Sequence, residues 1–152
     1  MTMSADDWAR AYQLINAAVV PGWALLIFLP RSKLTSALVH SMLYPALMGS
    51  IYVAGLGAGI FLGQSAEGAG FSSIDRVAAI FDHPNGIIIG WTHYLVFDLF
   101  VGAWIGRDAI RRNLPHLAVI PCLLGTFMFG PVGLLLYLLL RLLLRKKFSL
   151  QE

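Results

Sequence analysis

Residues 86–105 read GIIIGWTHYLVFDLFVGAWI, and Asp98 is the only formally charged side chain in this run. A helix that crosses a hydrocarbon core about 30 Å thick needs roughly 20 mostly apolar residues. Three more stretches of similar composition occupy residues 8–29, 38–62 and 117–140. The sequence therefore predicts an all-α integral membrane bundle of four transmembrane helices, as a single membrane domain over residues 1–152.

The composition of the whole chain supports the membrane interpretation. Apolar residues make up 58% and charged residues 12% of the 152 residues, and the mean hydropathy is +0.73. Soluble domains are about 45–50% apolar and about 25% charged. A soluble domain of this length has too much surface to hide so many apolar side chains, and a disordered chain would be polar. The single cysteine, Cys122, excludes an intramolecular disulfide framework.

Lysine and arginine are divided almost evenly between the two sides of a four-span bundle, whose termini would both lie on one side. The loops after spans one and three carry Arg31, Lys33, Arg107, Arg111 and Arg112. The side with both termini carries Arg10, Arg76, Arg141, Arg145, Lys146 and Lys147. The positive-inside rule therefore gives no orientation for four spans. Because the net charge of +3 sits at membrane-flanking positions, the lipid bilayer is the expected partner and no nucleic acid is expected.

The connection between spans two and three contains a short periodic segment. Ile74, Val77 and Phe81 share one face at helical spacing, which predicts an amphipathic helix over residues 71–81 lying in the membrane interface. This helix would act either as a tether for the loop or as a lid.

Small residues and prolines mark two of the spans. Gly55, Gly59 and Gly63 follow one another at steps of four in span two, a spacing that lets helix backbones approach closely in lipid. This glycine-rich face would pack either within the bundle or in a homo-oligomer. In span four, Pro131 removes a backbone donor and predicts a kink.

Ionisable residues inside a span are costly and are therefore functional candidates. Span three contains His93 and Asp98, whose five-residue offset places them about 140° apart around the helix. Two interpretations of Asp98 stay open: a neutral buried acid that donates a proton, or a structural brace or ion-pair partner of Arg107 or Arg141.

Other polar residues give weaker signals. His40 and Tyr44 lie one turn apart near the boundary of span two, either as a hydrated polar end or as part of a site. The histidines and carboxylates show no clustered metal-ligand spacing, so neither a metal nor another cofactor is expected.

The run from His83 to Gly102, HPNGIIIGWTHYLVFDLFVG, and the proline-glycine run from Pro121 to Arg141 resemble one membrane family. This family is the neoxanthin-synthase-like proteins, named for the abscisic-acid-deficient-four locus of plants. The resemblance covers most of residues 36–141 and is strongest over 83–141. Its plant members are plastid membrane proteins required for converting violaxanthin to neoxanthin. Because this chain begins almost directly at span one, without a transit peptide, we expect a multi-pass protein of a bacterial inner membrane.

The resemblance implies a non-redox isomerase that acts on a carotenoid or a related isoprenoid end group. Opening an epoxide to an allenic alcohol needs an acid and a base. The resemblance implies Asp98 as the acid and His93 or His83 as the base. Substrate contacts would come from Trp91, Tyr94, Phe97, Phe100, Trp104, Asn85, His40 and Tyr44.

The alternative is a non-catalytic binding or accessory protein for a carotenoid, a quinone, a haem or a partner membrane protein. A proton-coupled transporter that uses Asp98 is a weaker hypothesis, because four spans would need oligomerisation for alternating access.

Overall fold

The computed structural model describes residues 3–146, and over that range the chain is all-helical, as predicted, with no strand. The helices in this part of the chain are α1 (Ala5–Phe28), α2 (Lys33–Leu38), α3 (Leu43–Phe61), α4 (Ile74–Ile80), α5 (Pro84–Arg111), α6 (His116–Phe129) and α7 (Pro131–Arg145).

Three segments of the described chain are long and apolar enough to cross a membrane. They are Ala5–Phe28, Lys33–Phe61 and Pro84–Arg111, and they correspond to the first three predicted spans. The second of these contains a break between α2 and α3, where residues 39–42 are not helical. The described chain therefore has three of the four predicted segments that are long and apolar enough to span a membrane.

The fourth predicted span, residues 117–140, differs from the expectation, because it consists of two helices. Gly130 separates α6 from α7 with φ of +49° and ψ of −100°, a conformation that favours glycine. Pro131 then occupies the first position of α7, where its missing N–H costs nothing. At 1.5 Å per residue, helices of 14 and 15 residues are about 21–23 Å long, too short to cross alone.

The predicted kink at Pro131 is instead a reversal of the chain, and α6 and α7 form a helical hairpin. Arg145 Nε donates to the Arg112 carbonyl over 2.8 Å, so the end of α7 lies beside the start of α6. Glycines allow the two helices to pack backbone against backbone. A Cβ atom on Gly125 would lie 3.1 Å from the Gly133 Cα, and one on Gly133 would overlap the backbone of Thr126 and Cys122.

The short helix α4 occupies most of the predicted amphipathic segment. It begins after Ser73, whose hydroxyl accepts a hydrogen bond from the Arg76 N–H over 3.3 Å, and it covers Ile74–Ile80 rather than residues 71–81. None of its residues is buried by the described protein, and Ile74 and Phe71 are strongly exposed.

The described chain divides into two compact units. The first unit contains residues 3–18 and 44–96, and the second contains residues 19–43 and 97–146. The core of the first unit includes Ile15, Met48, Asn85, Ile88, Thr92 and Leu95. The core of the second unit includes Val19, Trp23, Leu26, Leu99, Ile105, Leu123, Tyr137 and Arg141.

The glycine-rich face of span two packs within the first unit. A Cβ atom on Gly55 would overlap the side chain of Ile89, and one on Gly59 would lie 3.5 Å from the Asn85 amide nitrogen. Gly63 lies beyond the end of α3, with φ of +68°. Of the two arrangements that the sequence left open, intrachain packing accounts for Gly55 and Gly59.

Candidate functional site

A cavity of about 250 Å³ lies in the first unit, between α3, the following loop and the start of α5. Leu56, Ile60 and Ile89 contribute apolar side chains to its wall. The polar lining comes from Gln64 and Ser65 of the loop and from Asn85, which is only 4% exposed. An apolar cavity with a few polar groups is the usual form of a small-molecule site.

The HPNG motif positions Asn85 at this cavity. The side-chain amide of Asn85 donates to the Gly55 carbonyl over 2.8 Å and to the Gln64 carbonyl over 3.0 Å. Asn85 therefore ties the start of α5 to both α3 and the loop. Gly86 is required beside it, because a Cβ atom there would overlap the Ile80 carbonyl.

His83, predicted as a base, fixes the first turn of α5. Its Nδ1 accepts a hydrogen bond from the Asn85 N–H over 3.1 Å, and Trp8 packs edge-on against its ring at 6.0 Å. Because Nδ1 accepts, the neutral ring carries its proton on Nε2. His83 does not itself line the cavity.

Two of the predicted aromatic contacts form a stacked cluster in the first unit. The rings of Trp91 and Tyr94 are stacked, with centroids 5.2 Å apart and planes inclined by 28°, and the Tyr12 ring lies 5.7 Å from Trp91. The Trp91 indole N–H donates to Asn16 Oδ1 over 3.0 Å. Tyr12 and Asn16 were not predicted as site residues, although a polar Asn inside span one indicates that a partner is needed.

The other predicted aromatic residues have different surroundings. Phe97 and Phe100 are exposed on α5 within the second unit. Trp104 packs edge-on against the buried ring of Tyr137, with centroids 5.6 Å apart. Trp104 therefore contributes to the packing of the second unit.

His93 and Asp98, the predicted acid–base residues, have separate neighbours. His93 is exposed in the first unit, where its ring lies 5.6 Å from Tyr52. Asp98 is 9% exposed in the second unit and faces the hairpin reversal, since a Cβ atom on Gly130 would lie 2.6 Å from Asp98 Oδ1. The N-terminus of α7 begins at this point, and a helix N-terminus stabilises a carboxylate. The proton donor and the structural brace both stay predictions for Asp98.

A buried ionic cluster in the second unit was not predicted. Asp108 and Arg141 are 2% and 1% exposed, and Arg141 Nη1 lies 3.4 Å from Asp108 Oδ2. Tyr137 donates to the same oxygen over 2.6 Å, and Arg112 Nε donates to both carboxylate oxygens over 2.9 and 3.0 Å. The sequence did not predict this cluster, because the expected four-span arrangement placed Arg141 and Asp108 on opposite sides of the membrane.

The weaker candidates do not line the cavity. His40 Nδ1 accepts from Arg107 Nη1 over 3.4 Å in the second unit, and Tyr44 lies half-buried in the first turn of α3. Residues 3–146 contain no group of three or more His, Cys, Asp or Glu side chains that would hold a metal ion.

Comparison with known proteins gives one family. The family described as ABA DEFICIENT 4-like matches residues 10–137, which is most of the chain and includes the HPNG motif, α5 and the hairpin as far as Tyr137. No curated protein and no solved structure matches the chain.

Proposed function

The chain belongs to the ABA DEFICIENT 4-like family, and on that premise we propose that this neoxanthin-synthase-like membrane protein binds the ring end of a carotenoid or related isoprenoid in the cavity of its first unit. The observation that carries the proposal is the cavity itself, which Asn85 and Gly86 of the HPNG motif line, since this motif belongs to the run that carries the resemblance.

The size of the cavity selects one part of such a ligand. Drug-sized ligands occupy pockets of about 300–1,000 Å³, whereas an apolar cavity of about 150 Å³ accommodates benzene. A volume of about 250 Å³ therefore suits one methylated six-membered ring. The polyene of a long isoprenoid would lie outside the cavity, along the surface of the protein.

The polar lining suits an oxygenated ring. The Asn85 amide nitrogen and the Ser65 hydroxyl already donate to backbone carbonyls, so Asn85 Oδ1 and Ser65 Oγ offer acceptors in an otherwise apolar wall, and the Gln64 amide adds a donor. The acceptors suit a ring hydroxyl, whereas an epoxide or keto oxygen would need the Gln64 N–H; an unsubstituted hydrocarbon ring is disfavoured.

Isomerase activity on the same end group is the second candidate. It is favoured by the buried carboxylate of Asp98, which lies within a segment long enough to cross the membrane. The described lining of the cavity contains no acidic or basic side chain, so catalysis there would need a group from outside, such as His83 beside Asn85. Binding is therefore the first candidate and catalysis the second.

Expression in a carotenoid-producing host distinguishes the two candidates. We expect the protein, purified in mild detergent, to retain pigment at about one molecule per chain, as measured by absorption and chromatography. A new pigment in the host that disappears with Asp98→Asn would support the isomerase. Neither retained pigment nor a changed pigment profile would contradict both candidates.

A further inference from the structure

The α6–α7 hairpin changes which charged residues share one end of the molecule. His116 Nε2 donates to the Ile27 carbonyl over 2.8 Å, which joins the start of α6 to the end of α1. Arg145 joins the end of α7 to the α5–α6 loop by donating to the carbonyls of Arg112 and Asn113. Within the second unit, therefore, the last turns of α1, α5 and α7 meet.

This end of the second unit is strongly basic. Among the described residues, the second unit contains eight lysines and arginines and two acids, whereas the first contains two basic residues and five acids. The basic residues of the second unit are Arg31, Lys33, Arg107, Arg111, Arg112, Arg141, Arg145 and Lys146. Lys147, counted with them in the sequence, lies outside the described residues.

This uneven distribution of lysine and arginine indicates which end of the second unit faces the cytoplasm. The even division that four spans would give indicated no orientation. Lysines and arginines near the ends of spans accumulate on the cytoplasmic side of a membrane. The cytoplasmic leaflet also carries anionic lipids, which attract basic segments at the membrane surface.

A second cavity, of about 670 Å³, opens at this basic end. Arg31 and Arg145 line it, together with His116 and Asn113 and with the apolar Pro30 and Pro115. Its described lining contains no carboxylate. Asp108, the nearest acid in sequence, is buried and accepts from Tyr137 and Arg112. The cavity therefore combines positive charge with an apolar rim.

We propose that the basic end of the second unit faces the cytoplasm and that its cavity binds the phosphate of an anionic phospholipid. The two carbonyl contacts of Arg145 hold one guanidinium at the cavity. Arg31, which is exposed in the turn between α1 and α2, supplies the second positive charge. The prolines contact the apolar part of the lipid.

Lipid titration of the purified protein in detergent tests this proposal. The probes are dihexanoyl phosphatidylglycerol, dihexanoyl phosphatidylcholine and inorganic phosphate, with Kd taken from the rise in thermal midpoint. We expect phosphatidylglycerol to bind at least tenfold more tightly than either of the other probes. Arg31→Gln should weaken its binding by about fivefold, whereas Arg10→Gln, a change of the same kind in the first unit, should leave it unchanged.

Three results would overturn the proposal. Equal affinity for the two lipids would show that the net negative charge of the lipid does not contribute to binding. Equal affinity for inorganic phosphate would assign the cavity to a free anion rather than a lipid. Equal effects of the two arginine substitutions would place the binding elsewhere on the protein.

Discussion

At the scale of single residues, Asp108 is the side chain whose partners most restrict the structure of the second unit. Its carboxylate accepts hydrogen bonds from Tyr137 and Arg112 and lies 3.4 Å from the buried guanidinium of Arg141. Burying a charge without a partner is far more costly than burying a satisfied pair. We therefore assign this cluster a structural role: it holds α7 against α5 within the second unit.

Replacing Asp108 by Asn should lower the free energy of unfolding by about 3–5 kcal/mol, because the buried guanidinium of Arg141 would lose the carboxylate that lies 3.4 Å away. Tyr137→Phe should cost less, about 1.5–3 kcal/mol, since it removes one hydrogen bond to a charged group. Thermal denaturation in detergent measures both. Asp75→Asn, an exposed acid in the first turn of α4, is the control. A loss for Asp108→Asn no larger than for this control would contradict the structural role.

The sequence identified some of the residues at the site, but it could not identify the groups that bind them. Asn85 and Trp91 were identified as candidates because they lie in the run that carries the family resemblance. Their partners, the Gly55 and Gln64 carbonyls and Asn16, are 30, 21 and 75 residues away in the chain. Only tertiary packing joins such distant groups, so no local pattern predicts them.

At the scale of elements, the length and composition of the apolar runs predicted the long helical segments but not the α6–α7 hairpin. A run of 20 apolar residues has one simple solution in a membrane, so α1 and α5 were predictable. Residues 117–140 satisfy the same criterion. A proline in such a run fits a kinked helix as well as a reversal, and the sequence alone does not distinguish them. Three glycines account for the reversal. Gly130 allows the chain to turn, and Gly125 and Gly133 allow α6 and α7 to pack closely.

Gly130→Ala should therefore destabilise the hairpin. The substitution adds a Cβ atom 2.6 Å from Asp98 Oδ1 and forces a non-glycine residue to adopt φ of +49°, at a cost of about 1–3 kcal/mol. The thermal midpoint in detergent is the measurement.

Gly57→Ala is the matched control, because a Cβ atom on this helical glycine meets no atom within 4 Å. We expect it to leave the midpoint unchanged or to raise it slightly, since alanine favours a helix over glycine. If both substitutions shifted the midpoint equally, the chain reversal would not require a glycine at position 130.

At the scale of the whole molecule, the hairpin changes the topology that we expect in a membrane. Four spans would place both termini on one side. If the three apolar segments cross and the α6–α7 hairpin does not, the number of crossings is odd, and we expect Ser4 and Lys146 on opposite sides of the membrane. The even charge division of the four-span arrangement becomes a strong bias, because Arg141, Arg145 and Lys146 join the other basic residues of the second unit.

Single-cysteine labelling in intact cells tests this topology in a Cys122→Ser background. We expect a membrane-impermeant maleimide to label Ser4→Cys directly and Lys146→Cys only after the membrane is permeabilised, because we propose that the basic end faces the cytoplasm. Labelling of both cysteines under the same condition would support four spans and contradict the hairpin topology.

Binding of an isoprenoid ring in the cavity of the first unit is tested most directly by filling that cavity. Ala69 lines it, whereas Ala66 lies in the same loop outside the lining, so Ala69→Leu and Ala66→Leu form a matched pair. Pigment retained per chain after expression in a carotenoid-producing host is the measurement. We expect Ala66→Leu to match the wild-type protein and Ala69→Leu to retain about tenfold less, because the added side chain occupies the volume of the ring. Equal pigment in the two folded variants would contradict the account.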